Sequence, residues 1–256
     1  MADWNPELYR RFEAERTRPA AELLARIANR PVNRAADLGC GSGNSTALLL
    51  QTWPQADICG IDNSPAMIAA AQQRLPQCRF VETDLIRWQA DAPLDLIFAN
   101  ASLQWIGNHE HLLPKLLTQL APNGVLAVQM PDNLEEPAHR LMHETAAQPR
   151  WRQAMAALQN RDALPDVSAY YDILTRAGCR ADIWRTTYYH VMPSVRHITE
   201  WFQSTALRPF LNLLEPHDQQ YFLADYTDAL HQAYPVQADG CVLLPFPRLF
   251  IVAEKI

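Results

Sequence analysis

The sequence predicts an α/β protein: a doubly wound, seven-stranded, mostly parallel sheet with a helical cap. Three observations carry this. Short apolar runs alternate with helix-length segments between residues 34 and 130. The run Ala36-Asp37-Leu38-Gly39-Cys40-Gly41-Ser42-Gly43 places three glycines in five positions between a strand and a helix. Acidic residues recur just where strands end, at Asp37, Asp62 and Asp84.

Taken in order, residues 20–30 have helical spacing, and 34–38 read as a short buried strand. Residues 44–52 open a helix with Asn44 near its N-cap, and 57–62 form a second strand. Ser64-Pro65 starts a helix to about Leu75, with proline at its first position. Strands follow at 79–83 and 94–99, a helix at 109–120, and Asn123-Gly124 turns the chain into a fifth strand at 125–130. Strict strand–helix alternation implies βαβ units, and right-handed crossovers make the sheet Rossmann-like.

After Met130 the pattern changes. Residues 135–160 are polar and helix-like with breaks at Pro137 and Pro149; 166–177 form an amphipathic helix stopped by Gly178. Residues 181–191 are a sixth strand, 194–234 are helical, and 246–253 are the last strand. The expected organisation is one domain over 1–256. It comprises N-terminal lid helices at 1–30, a cofactor-binding core at 31–131, and cap insertions at 132–165 and 194–240 over the carboxyl ends of the strands.

Composition narrows the function. The chain has 256 residues, is 48% hydrophobic and carries a net charge of −6, which argues against a nucleic-acid partner. No apolar run approaches the roughly 20 residues of a membrane span. The charged N-terminus lacks the apolar stretch of a signal peptide, so the expected location is cytoplasmic. The five cysteines are widely spaced and suggest neither a metal site nor a redox motif. Lys115 and Lys255 are the sole lysines, so nearly all positive charge is guanidinium, the group suited to gripping carboxylates.

The glycine run lacks the lysine of a P-loop, and its spacing departs from the GxGxxG that seats a pyrophosphate. It suits a ligand with adenosine and no phosphate, and Asp62 in Gly60-Ile61-Asp62 can accept ribose hydroxyls. A nicotinamide oxidoreductase is disfavoured on the same grounds. A non-catalytic cofactor sensor would show the same motif.

Over residues 33–131 these motifs resemble the class I S-adenosylmethionine-dependent methyltransferases. The resemblance implies that Asp37 and the loop of Gly39, Cys40, Gly41 and Gly43 hold the methionine part of S-adenosyl-L-methionine. It implies that Asp62 and Asn63 hold the ribose, Met67 covers the adenine, and Asp84 and Leu85 bind its edge. Asn100 and Ser102 fall under the sulfonium end.

Further segments, among them Phe98–Trp105, Val128–Asn133, Ala169–Leu174, Ile183–His190 and Phe246–Ala253, resemble the trans-aconitate methyltransferase family. That likeness implies a small polycarboxylate substrate methylated on one carboxylate. A carboxylate is already ionised at neutral pH, so no catalytic base and no metal is expected, only proximity and orientation. The candidate substrate residues are Tyr9, Arg18, Trp105, Tyr170, His190, Arg196, Arg208 and Arg248. A malonyl carrier protein or a phenol is the alternative acceptor. Oligomeric state is not legible.

Overall fold

Strands that carry apolar side chains on both faces can only be central strands of a covered sheet, and β1 (Arg34–Leu38) and β4 (Leu94–Asn100) are buried almost throughout. The computed structural model describes residues 13–203 and 205–256. The remaining elements are α1 (Glu13–Ala25), α2 (Asn44–Thr52), β2 (Asp57–Asp62), α3 (Pro65–Arg74) and β3 (Arg79–Glu82). After β4 come a 3₁₀ turn (Leu103–Trp105), α4 (His109–Thr118), β5 (Leu120–Pro131) and α5 (Pro137–Ala146). A second 3₁₀ turn (Ala154–Ala157), α6 (Val167–Arg176), β6 (Cys179–Met192), α7 (Val195–Gln203), α8 (Arg208–Leu211), α9 (Pro216–Ala233) and β7 (Val242–Lys255) complete the chain.

The sheet order is β3-β2-β1-β4-β5-β7-β6. The first four pairings are parallel, whereas β7 runs antiparallel between β5 and β6. Side chains alternate between faces with period two. Leu96 and Phe98 join Leu23, Leu49 and Phe250 in one core, and Ile97 and Ala99 join Leu38, Ile61 and Leu113 in the other. The order reverses at β1, which opens a crevice at the carboxyl ends of β1 and β4.

The structure adjusts several expectations. Asn44 is the first residue of α2, next to its N-cap Gly43, which has φ of 85° in the left-handed region that glycine tolerates. Ser64 caps α3 through a hydrogen bond from Met67 N to Ser64 Oγ. The N-terminal helix ends at Ala25 and gives way to turns, earlier than its apolar spacing suggested. The expected helical stretch 194–234 is three helices, broken where Pro209 and Pro216 can only start helices. β5 begins at Leu120, before Asn123-Gly124, because Leu120 pairs with Leu94 across a register shift. Among the described residues no helix is long and apolar enough to cross a membrane.

One glycine in β2 reports on the packing under the crevice. A Cβ on Gly60 would lie 2.5 Å from the Phe80 ring and 3.0 Å from Cys40 Sγ. Gly60→Ala is therefore expected to destabilise the fold by about 1–3 kcal/mol in urea unfolding. An unchanged midpoint would contradict this packing.

Candidate active site

Each strand of the parallel half ends in a turn that faces the crevice. After β1, the backbone N–H groups of Gly39 and Cys40 donate to Ile61 O at 2.7 and 3.0 Å, so the glycine turn is stitched to β2. After β4, Ser102 Oγ donates to Leu38 O at 2.6 Å and ties the next turn to the first. Gly39 has φ of 72°, and a Cβ there would lie 2.3 Å from Ser102 Cβ. Only glycine permits this contact. Gly41 also has positive φ, and no atom lies within 4 Å of where its Cβ would stand. Its backbone is thus open to a ligand.

At the end of β2 the Asp62 carboxylate accepts N–H hydrogen bonds from Gly41 and Ser64, both at 2.9 Å. Asp84, beyond β3, accepts the N–H of Ile86 at 2.8 Å. Asp37 is fully buried, and Ser45 and Thr46 at the start of α2 donate to its Oδ2 at 2.7 and 2.6 Å. Burial pushes the Asp37 carboxyl up to about 6, against the pull of those two hydroxyls.

These turns line a cavity of about 470 Å³. The end of β2, the start of α3 and the loops after β1, β2 and β3 contribute Gly39, Gly41, Asp62, Asn63, Met67, Asp84 and Leu85; the turn after β4 contributes Ala101, Ser102, Gln104 and Trp105. The remaining wall carries Arg16 of α1, Asn133, His139 of α5, Arg161, Trp201 and Phe202 of α7, and Phe246 and Arg248 of β7. Three guanidinium groups therefore face one cavity with the glycine turn. Arg16 is 8% exposed, with Cζ 5.2 Å from the Trp201 ring centre. Arg248 is 2% exposed, with Cζ 4.6 Å from the Phe246 ring centre, and its Nη1 donates to Gln129 Oε1 at 3.1 Å. Arg161 lies over Trp105 at 5.6 Å and reaches Asn133 Oδ1 at 3.5 Å. Desolvation pulls Arg161 down to about 10, and Asp132 opposes the shift. Burial, with the Arg161 and His143 charges, holds His139 down at about 3, so its ring is neutral at pH 7. A second cavity of about 620 Å³ adjoins the first and shares Gln104, Trp105, His139 and Arg161 with it.

The sequence-derived cofactor residues divide accordingly. Gly39, Gly41, Asp62, Asn63, Met67, Asp84, Leu85 and Ser102 line the cavity. Asp37, Gly43 and Cys40 stand behind the wall: Cys40 packs with Ile68, Ala71 and Phe80. Asn100 ends β4, one residue short of the lining turn.

Of the substrate candidates, Trp105 and Arg248 line the cavity, and Tyr9 lies outside the described residues. The others do not line it. Arg18 sits two positions from Arg16, about 200° around the helix, so it faces outward and pairs with Glu22 at 2.9 Å. Arg196 is 81% exposed and pairs with Glu200 one turn along α7. Tyr170 is buried in the core on α6, its hydroxyl 2.5 Å from His109 Nδ1. His190 stands behind the lining, its ring 4.9 Å from Trp201 and 5.6 Å from Phe246. Arg208 begins the short helix α8 and does not line the cavity. Sequence reasoning missed Arg16, Arg161, His139 and Gln104. The arginine count signalled a cationic site, but Arg161 lies in an irregular segment with no periodicity to orient it.

A strand order of 3-2-1-4-5-7-6 with a glycine turn after β1 and an acid after β2 defines the class I methyltransferase architecture. A methyltransferase-domain family matches residues 35–124. The YcgJ protein of Bacillus subtilis aligns with a TM-score of 0.58 at 13% identity, over 93% of this chain and 98% of that one. The phosphoethanolamine N-methyltransferase 2 of Haemonchus contortus, in complex with S-adenosyl-L-methionine, aligns with a TM-score of 0.56 at 17% identity, over 93% and 52%. Both support the fold. Trans-aconitate 2-methyltransferases of Escherichia coli O157:H7 and Shigella flexneri are 57% identical over 255 residues, covering 100% of this chain and 99% of theirs. The chain belongs to the trans-aconitate 2-methyltransferase family.

Two predictions follow from the geometry of the acids. Asp62→Ala removes a carboxylate that both faces the cavity and holds two backbone N–H groups, so S-adenosylhomocysteine affinity should fall by at least about tenfold in calorimetric titration. Unchanged affinity would remove Asp62 from the binding surface. Asp37 has a folded pKa raised above its unfolded value, so its contribution to stability is present below about pH 4 and lost as pH rises through about 6. Relative to Asp37→Asn, the wild type should lose about 2–3 kcal/mol between those pH values in chemical unfolding. Parallel pH profiles would contradict the shift.

Proposed function

We propose that this chain transfers the methyl group of S-adenosyl-L-methionine to one carboxylate of trans-aconitate, giving a monomethyl ester. One observation carries the reading: the glycine turn and Asp62 share a cavity with the guanidiniums of Arg16, Arg161 and Arg248. The name of the 57%-identical, full-length relatives supports the same substrate.

The residues fit the cofactor. The open face of Gly41 leaves the approach that a Cβ would block, and the cavity-lining carboxylates of Asp62 and Asp84 are acceptors suited to ribose hydroxyls and an adenine amine. In this reading Asp37 acts at one remove, fixing the start of α2 through Ser45 and Thr46. Met67, Asn63 and Leu85 flank the adenosine, and Ser102 and Asn100 belong to the sulfonium side. When bound, S-adenosyl-L-methionine supplies a sulfonium methyl group that a carboxylate oxygen accepts, leaving S-adenosylhomocysteine.

The protein's own work is to bind and to orient. A carboxylate needs no base. His139 is neutral and serves as a hydrogen-bonding group rather than an acid. Two spectator carboxylates require cations, and a protein of net charge −6 must concentrate them locally. Arg16 on α1, Arg248 on β7 and Arg161 in the irregular segment before α6 supply them within a partly desolvated wall where charge interactions strengthen. We read residues 13–30, 132–165 and the described part of 194–240 as the cap that excludes water from this step; residues 1–12 of the expected N-terminal lid lie outside the described residues. The proposal includes a cytoplasmic enzyme of small acids without nucleic-acid or membrane partners. The acidic charge and five unpaired cysteines support it.

Methyl transfer from labelled S-adenosyl-L-methionine should be strongest with trans-aconitate among trans-aconitate, cis-aconitate, citrate, isocitrate and itaconate. Absence of turnover on every acid, with S-adenosylhomocysteine binding intact, would overturn the substrate and turn attention to a malonyl carrier protein or a phenol. Arg161→Gln and Arg248→Gln should each raise the KM for trans-aconitate by about 10–100-fold while leaving that for the methyl donor within about threefold. Equal changes in both constants would contradict the division of the cavity.

A further inference from the structure

We infer that Gln129 is a positioning and specificity-determining residue: its neutral amide braces Arg248 in the cavity wall without cancelling the charge that recognises the acid. The inference rests on the reading of the cavity as a polycarboxylate site. Gln129 lies near the end of β5 in the row Asn100–Gln129–Phe250, two residues before Pro131, which is paired with Arg248. It is fully buried and does not line the cavity itself. Its Oε1 accepts from Arg248 Nη1 at 3.1 Å, while its Nε2 has no hydrogen-bond partner among the described residues.

That arrangement is a poor choice for stability. A fully buried amide donor left unsatisfied costs about 1–3 kcal/mol. A carboxylate at 129 would pair Arg248 more strongly, and an apolar residue would leave no orphaned donor. Asp132, three residues further along the chain just past the end of β5, pairs with Arg185 at 2.8 Å. An amide is the group that gives Arg248 a directional hydrogen bond and adds no negative charge of its own beside it. Gln129 also acts through its main chain. Its carbonyl accepts the N–H of Ala101 at 2.8 Å, and Ala101 lines the cavity with φ of 54°, a left-handed conformation that alanine adopts only when held. One residue thus fixes both the turn beside Ser102 and the arginine on the opposite strand.

Charge and bracing are separable by experiment. Gln129→Glu and Gln129→Met would be purified and saturated with S-adenosylhomocysteine, and the binding of trans-aconitate and of crotonate, a monocarboxylate, measured by calorimetry and by competition. Gln129→Glu should weaken trans-aconitate about 100-fold but crotonate only about fivefold, because the electrostatic work scales with ligand charge. Gln129→Met should weaken both acids by a similar factor of about five to ten, through loss of the brace alone. Losses independent of ligand charge in Gln129→Glu would overturn the specificity role. Should that variant fail to fold, an unchanged trans-aconitate affinity in Gln129→Met would overturn the bracing role. The underlying reading fails separately: a wild-type protein that binds S-adenosylhomocysteine but no polycarboxylate would sink both, whereas wild-type binding with indifferent variants sinks the inference alone.

Discussion

The site depends on how closely the turn after β1 approaches the turn after β4. Gly39 and Ser102 meet where a single added methyl group would sit 2.3 Å from Ser102 Cβ, and Ser102 Oγ bonds Leu38 O across the same contact. This closure places the glycine backbone, which suits a cofactor, directly beside the Ala101–Trp105 turn, which borders the arginines. It also explains why the crevice forms at β1 and β4: these are the strands from which the sheet order departs in both directions. Asp37 supports the arrangement from below by gathering two hydroxyls of α2, although its own burial makes it a reluctant anion.

The second organising feature is charge. The cofactor side of the cavity presents Asp62 and Asp84, and the far wall presents Arg16, Arg161 and Arg248. Aromatic rings accompany the arginines: Trp201 beside Arg16, Trp105 beside Arg161, Phe246 beside Arg248. Rings stabilise a guanidinium through its face and leave its edge to hydrogen-bond. The chain's preference for arginine over lysine acquires a local meaning here, since a planar fork can lie against a ring and grip a carboxylate together.

The parallel half of the sheet was legible because its signals are local. β1 and β2 end where their apolar runs end, and Ser64-Pro65 is a helix start with a mechanism. The cofactor turn was legible because a required positive φ and a missing Cβ leave glycines behind. The arginines were less so. Arg16 and Arg18 differ in sequence by two positions and in fate by a half-turn of helix, and nothing local shows which face α1 buries. Arg196 reads like a cap residue but satisfies itself with Glu200. Tyr170 has the composition of a pocket residue, yet its hydroxyl is consumed by His109 inside the core. Such outcomes depend on tertiary packing between segments far apart in the chain. Gln129 is the extreme case: a lone polar residue in a β-strand gains its meaning only from Arg248, 119 positions away.

The central claim is that one cavity holds cofactor and polycarboxylate side by side. A crystal structure of the protein with S-adenosylhomocysteine and trans-aconitate tests it most directly. Adenosine is expected against Asp62 and Asp84, two carboxylates of the acid on Arg16, Arg161 or Arg248, and the third facing the sulfur. The acid bound outside this cavity, or within it with no contact to any of the three arginines, would contradict a shared site.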